Sequence, residues 1–402
     1  MSAIGAANLG ATHDADIVVV GGGLAGASLA CHLVRRGLGG RRLLVLEARQ
    51  AYRHDRHWCS WSPPTHPFVD CIERTWTRWR VAADGRAHVQ ECAEQPYSCI
   101  PSGRLYQEVE RQLRAAANAE LRMATPVRAV RDRGGHAEVE LEDGAVLRAG
   151  LVFDSRPGAN GVARAAADRR EVAWVQDFLG WRVHSERPVF DPATVDLMEF
   201  HEGAGDVRFV YVLPFSPREA LVEATAFAPS PVPDAEHERV LREHLDGPLG
   251  RGGYRILHTE RGAVPMTTRR VPAPRPGARV VPIGIAGGFV KPSTGYSFEA
   301  VQRWSAAIAE DLAAGRAPAW RAPRPRRALA MDRMFLAFLR RRPRQMPALF
   351  LRMFEKVPPA SLVRFLSDRG SLFDAAAVAM ALPKLPMLGE AVRSLRLWAR
   401  SA

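Results

Sequence analysis

Asp16-Ile17-Val18-Val19-Val20-Gly21-Gly22-Gly23-Leu24-Ala25-Gly26 is the stretch on which the fold turns. A short apolar run leads directly into glycines at the spacing G-x-G-x-x-G. Leu24 to Arg36 suits a helix ended by Gly37, and Arg42-Leu43-Leu44-Val45-Leu46-Glu47 reads as a second strand closed by an acid. Strand, glycine turn, helix, strand and terminal acid together make a βαβ unit of the kind that holds an adenine dinucleotide. Gly21 permits the tight turn, Gly23 lets the backbone approach a pyrophosphate, and Gly26 lets helix and strand pack closely. The helix N-terminus offers free N–H groups to phosphate, and Glu47 would accept hydrogen bonds from ribose hydroxyls.

Outward from this unit, a Trp-rich stretch (Trp58, Trp61, Trp76, Trp79) precedes an expected helix over about 102–117. Strands are expected around 121–130, followed by a hairpin turning at Asp143-Gly144, and then Leu151-Val152-Phe153-Asp154 as a further parallel strand. Between about 170 and 270, runs such as Phe209-Val210-Tyr211-Val212-Leu213 and Leu221 to Phe227 predict an inserted, mainly antiparallel sheet. Arg279-Val280-Val281-Pro282-Ile283 returns the chain to the first domain, and the last ~70 residues suit helices. The expected fold is α/β: a Rossmann-like domain over 14–168 and 277–320, an inserted antiparallel substrate domain over 169–276, and a helical region over 321–402.

Composition narrows the classes. Of 402 residues, 47% are hydrophobic and 25% charged, an ordinary globular balance that excludes wholesale disorder. The formal charge is +13, carried almost wholly by Arg. Arg316 to Arg344 holds ten Arg against the single acid Asp332, a block suited to anionic lipid, nucleic acid or a phosphorylated cofactor, or simply to a solvated helix face. Five cysteines without C-x-x-C support neither a disulfide framework nor a zinc site, so no metal is expected. No secretory signal pattern and no membrane-spanning apolar run is present, which predicts a cytoplasmic protein, soluble or peripherally attached.

The order of motifs along about 15–390 resembles the flavin-dependent lycopene cyclase family, within the larger group of flavoproteins related to aromatic hydroxylases. The matching pieces are Gly21–Gly26, Asp55-Arg56-His57-Trp58, Pro101 to Glu108, Asp154-Ser155-Arg156-Pro157-Gly158 and Leu197-Met198-Glu199. Leu213-Pro214-Phe215-Ser216, Leu221-Val222-Glu223-Ala224-Thr225, Pro265-Met266, Gly284 to Gly288 and Lys291 to Tyr296 complete them. The resemblance implies a tightly held FAD used in reduced form, with NAD(P)H as electron donor. It implies a carotenoid substrate such as lycopene, whose acyclic ends become β rings. It also implies flavin contacts from Arg104, from Asp154, and from a second glycine loop at Gly284, Gly287 and Gly288. Ile285 replaces the acid that hydroxylases carry in that loop, and Ala224 replaces the second acid of the family's acidic motif.

Cyclisation without net redox change needs an acid in a dry site, electron density beside a cation, and a shape that folds the chain end. Glu223 is the best candidate acid. On a strand it shares a face with Leu221, Thr225 and Phe227, and burial there would raise its pKa. Glu199 is the candidate proton acceptor or supporting partner. Trp58 and Trp61 are candidates for cation–π stabilisation, with core packing as the plain alternative. Met334, Phe335, Phe338, Leu339, Phe350, Leu351 and Phe354 recur at helical spacing beside Arg340, Arg341, Arg342, Arg344 and Arg352. That pattern suits either an anionic membrane surface or a packed helical cap. A flavin monooxygenase or prenyl-chain reductase would use the same architecture. A non-enzymatic basic membrane- or nucleic-acid-binding protein would leave the glycine fingerprint unexplained, and no nucleic-acid partner is expected.

Overall fold

A computed structural model describes residues 13–61, 66–156, 173–203, 205–249, 253–269, 271–319 and 321–382. Pro157 and Gly158 of the Asp154 motif, and the chain after residue 382, lie outside the described residues. The chain opens with β1 (Ala15–Val20), α1 (Leu24–Arg36) and β2 (Leu43–Leu46). It continues through β3 (His57–Ser60), β4 (Arg74–Trp76), β5 (Arg78–Ala83), β6 (Arg86–Glu91) and β7 (Tyr97–Pro101) to α2 (Ser102–Ala115). β8 (Ala119–Arg122), β9 (Val127–Asp132), β10 (Ala137–Leu141) and β11 (Val146–Asp154) follow. Four long strands come next: β12 (Ala173–Ser185), β13 (Thr194–His201), β14 (Val207–Ser216) and β15 (Glu219–Ala228). After α3 (Asp234–Leu249) come β16 (Tyr254–Thr267), β17 (Val280–Pro282) and α4 (Phe298–Ala313). The described chain closes with α5 (Arg326–Arg341), α6 (Met346–Lys356), α7 (Pro359–Leu366) and α8 (Leu372–Ala381).

The first sheet has the order β8-β2-β1-β11-β10-β9, with β17 beside β11. β8, β2, β1, β11 and β17 pair in parallel, which requires crossovers, and α1, α2 and α4 supply the cover. Gly26 permits the closest approach: a Cβ there would lie 1.9 Å from the Gly21 carbonyl oxygen. The expected turn at Asp143-Gly144 is present, with Gly144 at φ 91°.

The second sheet has the order β16-β12-β15-β14-β13-β5-β6. It is antiparallel except where β13 meets β5. β5 and β6, within the 14–168 span of the expected first domain, pair into this sheet. Alternation along β15 divides its sides. Ala220, Val222 and Ala224 pack under α3, while Leu221 and Phe227 join the cluster that includes Phe338, Phe350 and Phe354 of the C-terminal helices. The apolar stripes of α5 and α6 thus fill a core. The face that the sequence offered to a lipid surface is buried against protein.

A buried ion cluster locks those helices to the second glycine loop. Lys291 Nζ lies 2.5 Å from Asp368 Oδ1 and 3.1 Å from Asp332 Oδ1. Arg324 binds Asp368 and donates to the carbonyls of Gly288 and Phe289. All four side chains are at most 7% exposed. Removing one partner strands a desolvated charge. D368N is expected to cost ~3–5 kcal/mol, read as a lowered urea midpoint with FAD present.

Candidate active site

A cavity of ≈ 570 Å³ runs from the N-terminus of α1 to the C-terminal helices. At one end lie Gly23, Leu24, Ala25 and Ser155, with Gly284 and Ile285 opposite. Here the helix end is unoccluded: a Cβ on Gly23 would meet nothing within 4 Å. α1 also carries no capping side chain and no acid in its first turn. Free N–H groups facing an open cradle fit the pyrophosphate of a dinucleotide. Glu47 closes the turn by accepting from Gly22 N–H at 2.8 Å, and it grips Arg49, whose guanidinium lies over Tyr52 and Tyr106. Gly284, at φ 64°, lets the second loop cross close to Ala25 and Ser155. Gly287 tucks against the Pro282 carbonyl, and Gly288 is at φ 76°.

Of the expected cofactor contacts Gly23 and Gly284 line the cavity, whereas the side chains of Glu47, Arg104 and Asp154 do not. Arg104 is half-exposed, drawn to the Ile72 carbonyl at 3.4 Å and towards Glu73 at 4.0 Å. Arg49 and Arg56 line the cavity instead. Asp154 is held by Arg156 of its own loop, and its neighbour Ser155 reaches the cavity.

Beyond the cradle the wall becomes a carboxyl site. Leu221, Glu223, Thr225 and Phe227 all line the cavity, as alternation on β15 predicted. Across β12, Gly180 is the register partner of Glu223 on one side and Glu260 on the other. Both glutamates lean over the space that Gly180 leaves: a Cβ there would fall 2.8 Å from Glu223 Cγ and 3.1 Å from Glu260 Cγ. The two carboxyl groups hydrogen-bond to each other. Glu260 Oε2 also meets His57 Nδ1 at 2.8 Å.

Burial governs their protonation. Desolvation, then the neighbouring Glu260, holds the Glu223 carboxyl far above the usual range. Desolvation pushes Glu260 up to about 7. Burial pushes His57 down to about 4, so its contact with Glu260 is a hydrogen bond from a neutral ring. Among the described residues no buried cation pairs with these carboxyls, and two such groups share a proton, as paired carboxylates do elsewhere. The pair can therefore present a proton to the cavity at neutral pH.

Glu199 is a correction. The register of β13 shifts between Asp196 and Glu199, and both Leu197 and Met198 reach the cavity. Glu199 is left on Arg80 at 2.9 Å, beside Asp196, with its side chain 39% exposed. It is therefore not in place to touch a reacting group. No local pattern marks Glu260, His57 or Gly180 as functional, although His57 lies within Asp55-Arg56-His57-Trp58. Trp58 and Trp61 line the cavity, and Trp61 packs with Trp76 and Trp79 in the core as well.

Parallel sheet, glycine cradle and covering antiparallel sheet define a flavoprotein fold of the oxidoreductase and monooxygenase type. A solved structure of a geranylgeranyl bacteriochlorophyll reductase-like protein from Thermoplasma acidophilum shares it, with a TM-score of 0.60 at 15% identity, covering 94% of this chain and 99% of that one. The family model described as lycopene cyclase protein matches residues 16–392, and the chain belongs to that family. Among its relatives, a lycopene beta-cyclase of Pseudescherichia vulneris is 27% identical over 94% of this chain and 96% of its own length. One of Pantoea ananas is 29% identical over 70% of each.

A raised carboxyl pKa has a thermodynamic signature. The folded state holds the Glu260 proton that the unfolded chain releases near pH 4.5, so this stabilisation is complete below that pH and is lost as pH rises through about 7. Between pH 5 and 8 the wild type is expected to lose ~3 kcal/mol more than E260Q, measured by urea unfolding. G180A is expected to force the carboxyls apart and lower cyclisation at least ~100-fold while flavin absorbance is retained.

Proposed function

We propose that the protein cyclises the acyclic ends of lycopene to β rings, through γ-carotene to β-carotene, as an isomerase without net redox change. The observation that carries this is the Glu223–Glu260 pair, whose carboxyl pKa values burial raises, set in the wall of one cavity that reaches from the dinucleotide cradle to an apolar lining. Leu197, Phe209, Phe227, Phe350 and Phe354 line the tunnel, and they suit a hydrocarbon chain.

Glu223 gives its proton to the terminal double bond of the bound polyene. The tertiary cation that results is attacked by the next double bond, which closes a six-membered ring. Loss of a ring proton then forms the ring alkene, and the Glu223–Glu260 pair, now one proton short, accepts it. Proton count and charge return to the starting state. Trp58 and Trp61 face the same space and stabilise the cation by ~0.5–2 kcal/mol through their π faces. FAD would be held by Gly21–Gly26, Arg49, Arg56 and the Gly284–Gly288 loop, with NAD(P)H as its electron donor, and reduced flavin supplies negative charge near the site when bound.

Substrate of this kind lies in membranes, and an anionic lipid surface is the partner we assign to α8. Leu372, Phe373 and Met380 are 68%, 87% and 69% exposed there, and the exposed Arg327 donates to the Gly370 carbonyl just before the helix. Among the described residues no helix is long and apolar enough to cross a membrane.

Expression in a lycopene-accumulating host is expected to yield β-carotene, identified by pigment chromatography. Purified enzyme should require one initial reduction but no stoichiometric NAD(P)H. E223Q is expected to lower cyclisation at least ~1,000-fold with normal FAD content. Unchanged product from E223Q, or consumption of NAD(P)H with each ring formed, would sink the assignment.

A further inference from the structure

Three histidines continue outward from the carboxyl pair. His57 Nδ1 is on Glu260, and the His57 side chain is 1% exposed. Its ring meets that of His54 edge-on, with centroids 4.7 Å apart, and His54 meets His258 at 4.5 Å. β16 brings His258 to the same face as Glu260, two residues along the strand, where the surrounding Arg255, Ile256, Leu257 and Thr259 are exposed. His54 and His258 are themselves half-buried, so the file ends at the protein surface. Buried Nε2 atoms of both His57 and His258 have no hydrogen-bond partner among the described residues. Unpaired ring nitrogens inside a protein are costly, and their usual occupant is a mobile proton donor such as water.

The chemistry gives this file a task. Each ring formed consumes one proton from the pair and returns one, and the proton returned comes from carbon. A carboxyl pair with no proton exchange to solvent would hand that same proton to the next substrate. An imidazole file conducts protons because each neutral ring offers one donor and one acceptor nitrogen. Arg182, held by Glu73 and Glu219, stands beside the rings and disfavours a resident positive charge, as do the rings towards one another. Asp55 near His258, and Glu73, favour it.

We infer that His57, His54 and His258 form a proton path connecting the Glu223–Glu260 pair to solvent. It exchanges the proton taken from carbon for a solvent proton between turnovers. This rests on the cyclase reading, and the test separates the two. FAD-loaded enzyme, reduced once and supplied with lycopene in vesicles of phosphatidylcholine and anionic phosphatidylglycerol, turns over in D2O, and deuterium per β ring is read by mass spectrometry. The wild type is expected to place close to one solvent deuterium in each ring. In H54F and H258L, substrate protium recycles, and the label per ring should fall about twofold or more over successive turnovers. Added imidazole should restore it in H54A. A structural role would slow cyclisation without changing the label. Equal label in the wild type, H54F and H258L overturns the path, and so does joint loss of FAD and cyclisation in both variants. A wild type that makes no ring overturns the underlying reading instead.

Discussion

Two carboxyl groups over one glycine, with no buried cation pairing them among the described residues, set the terms for this protein. Gly180 lies between Glu223 and Glu260 in the register, and any side chain there would occupy the space that the carboxyls share. Because burial strips the carboxyls of most of their hydration, charge is expensive and the pair holds its proton to higher pH than free carboxyls do. The same burial keeps His57 neutral. Acid strength towards a hydrocarbon therefore arises from the environment, since an exposed glutamate would already be ionised.

That environment is built by a sheet with two different faces. One face is closed by α3 with small and branched residues, and the other is covered by α5 to α8 across an aromatic-rich cluster. The helices do not merely rest there. Lys291 and Arg324 tie Asp332 and Asp368 to the loop that begins at Gly284, so the roof of the tunnel and the wall of the cofactor cradle share one buried network. A change at either end is felt at the other because the charges have no solvent to fall back on.

How much could be read in advance follows from the range of each signal. The βαβ unit is local, and β1, α1 and β2 fall where the glycines and apolar runs put them. Glu223 was legible because alternation along a single strand places it with Leu221, Thr225 and Phe227. Glu260 was not, since its meeting with Glu223 depends on β16 and β15 both pairing with β12, a relation across distant parts of the chain. Glu199 was misjudged because a register irregularity in β13 changes which side chains face inward. Arg104 lies outside the cavity lining, turned towards Glu73, a placement that no local pattern records. The apolar stripes of α5 and α6 were equally good patterns for lipid and for core, and packing chose core.

By itself, then, the sequence determined the cofactor cradle, the two-sheet architecture, the family and one acid. These are encoded within short windows, where periodicity and backbone freedom suffice. Only the tertiary structure decided that the acid has a carboxyl partner, that a histidine stands behind the partner, and that one cavity joins cradle to tunnel. Such facts belong to distances between strands remote along the chain, and a linear pattern carries no record of them.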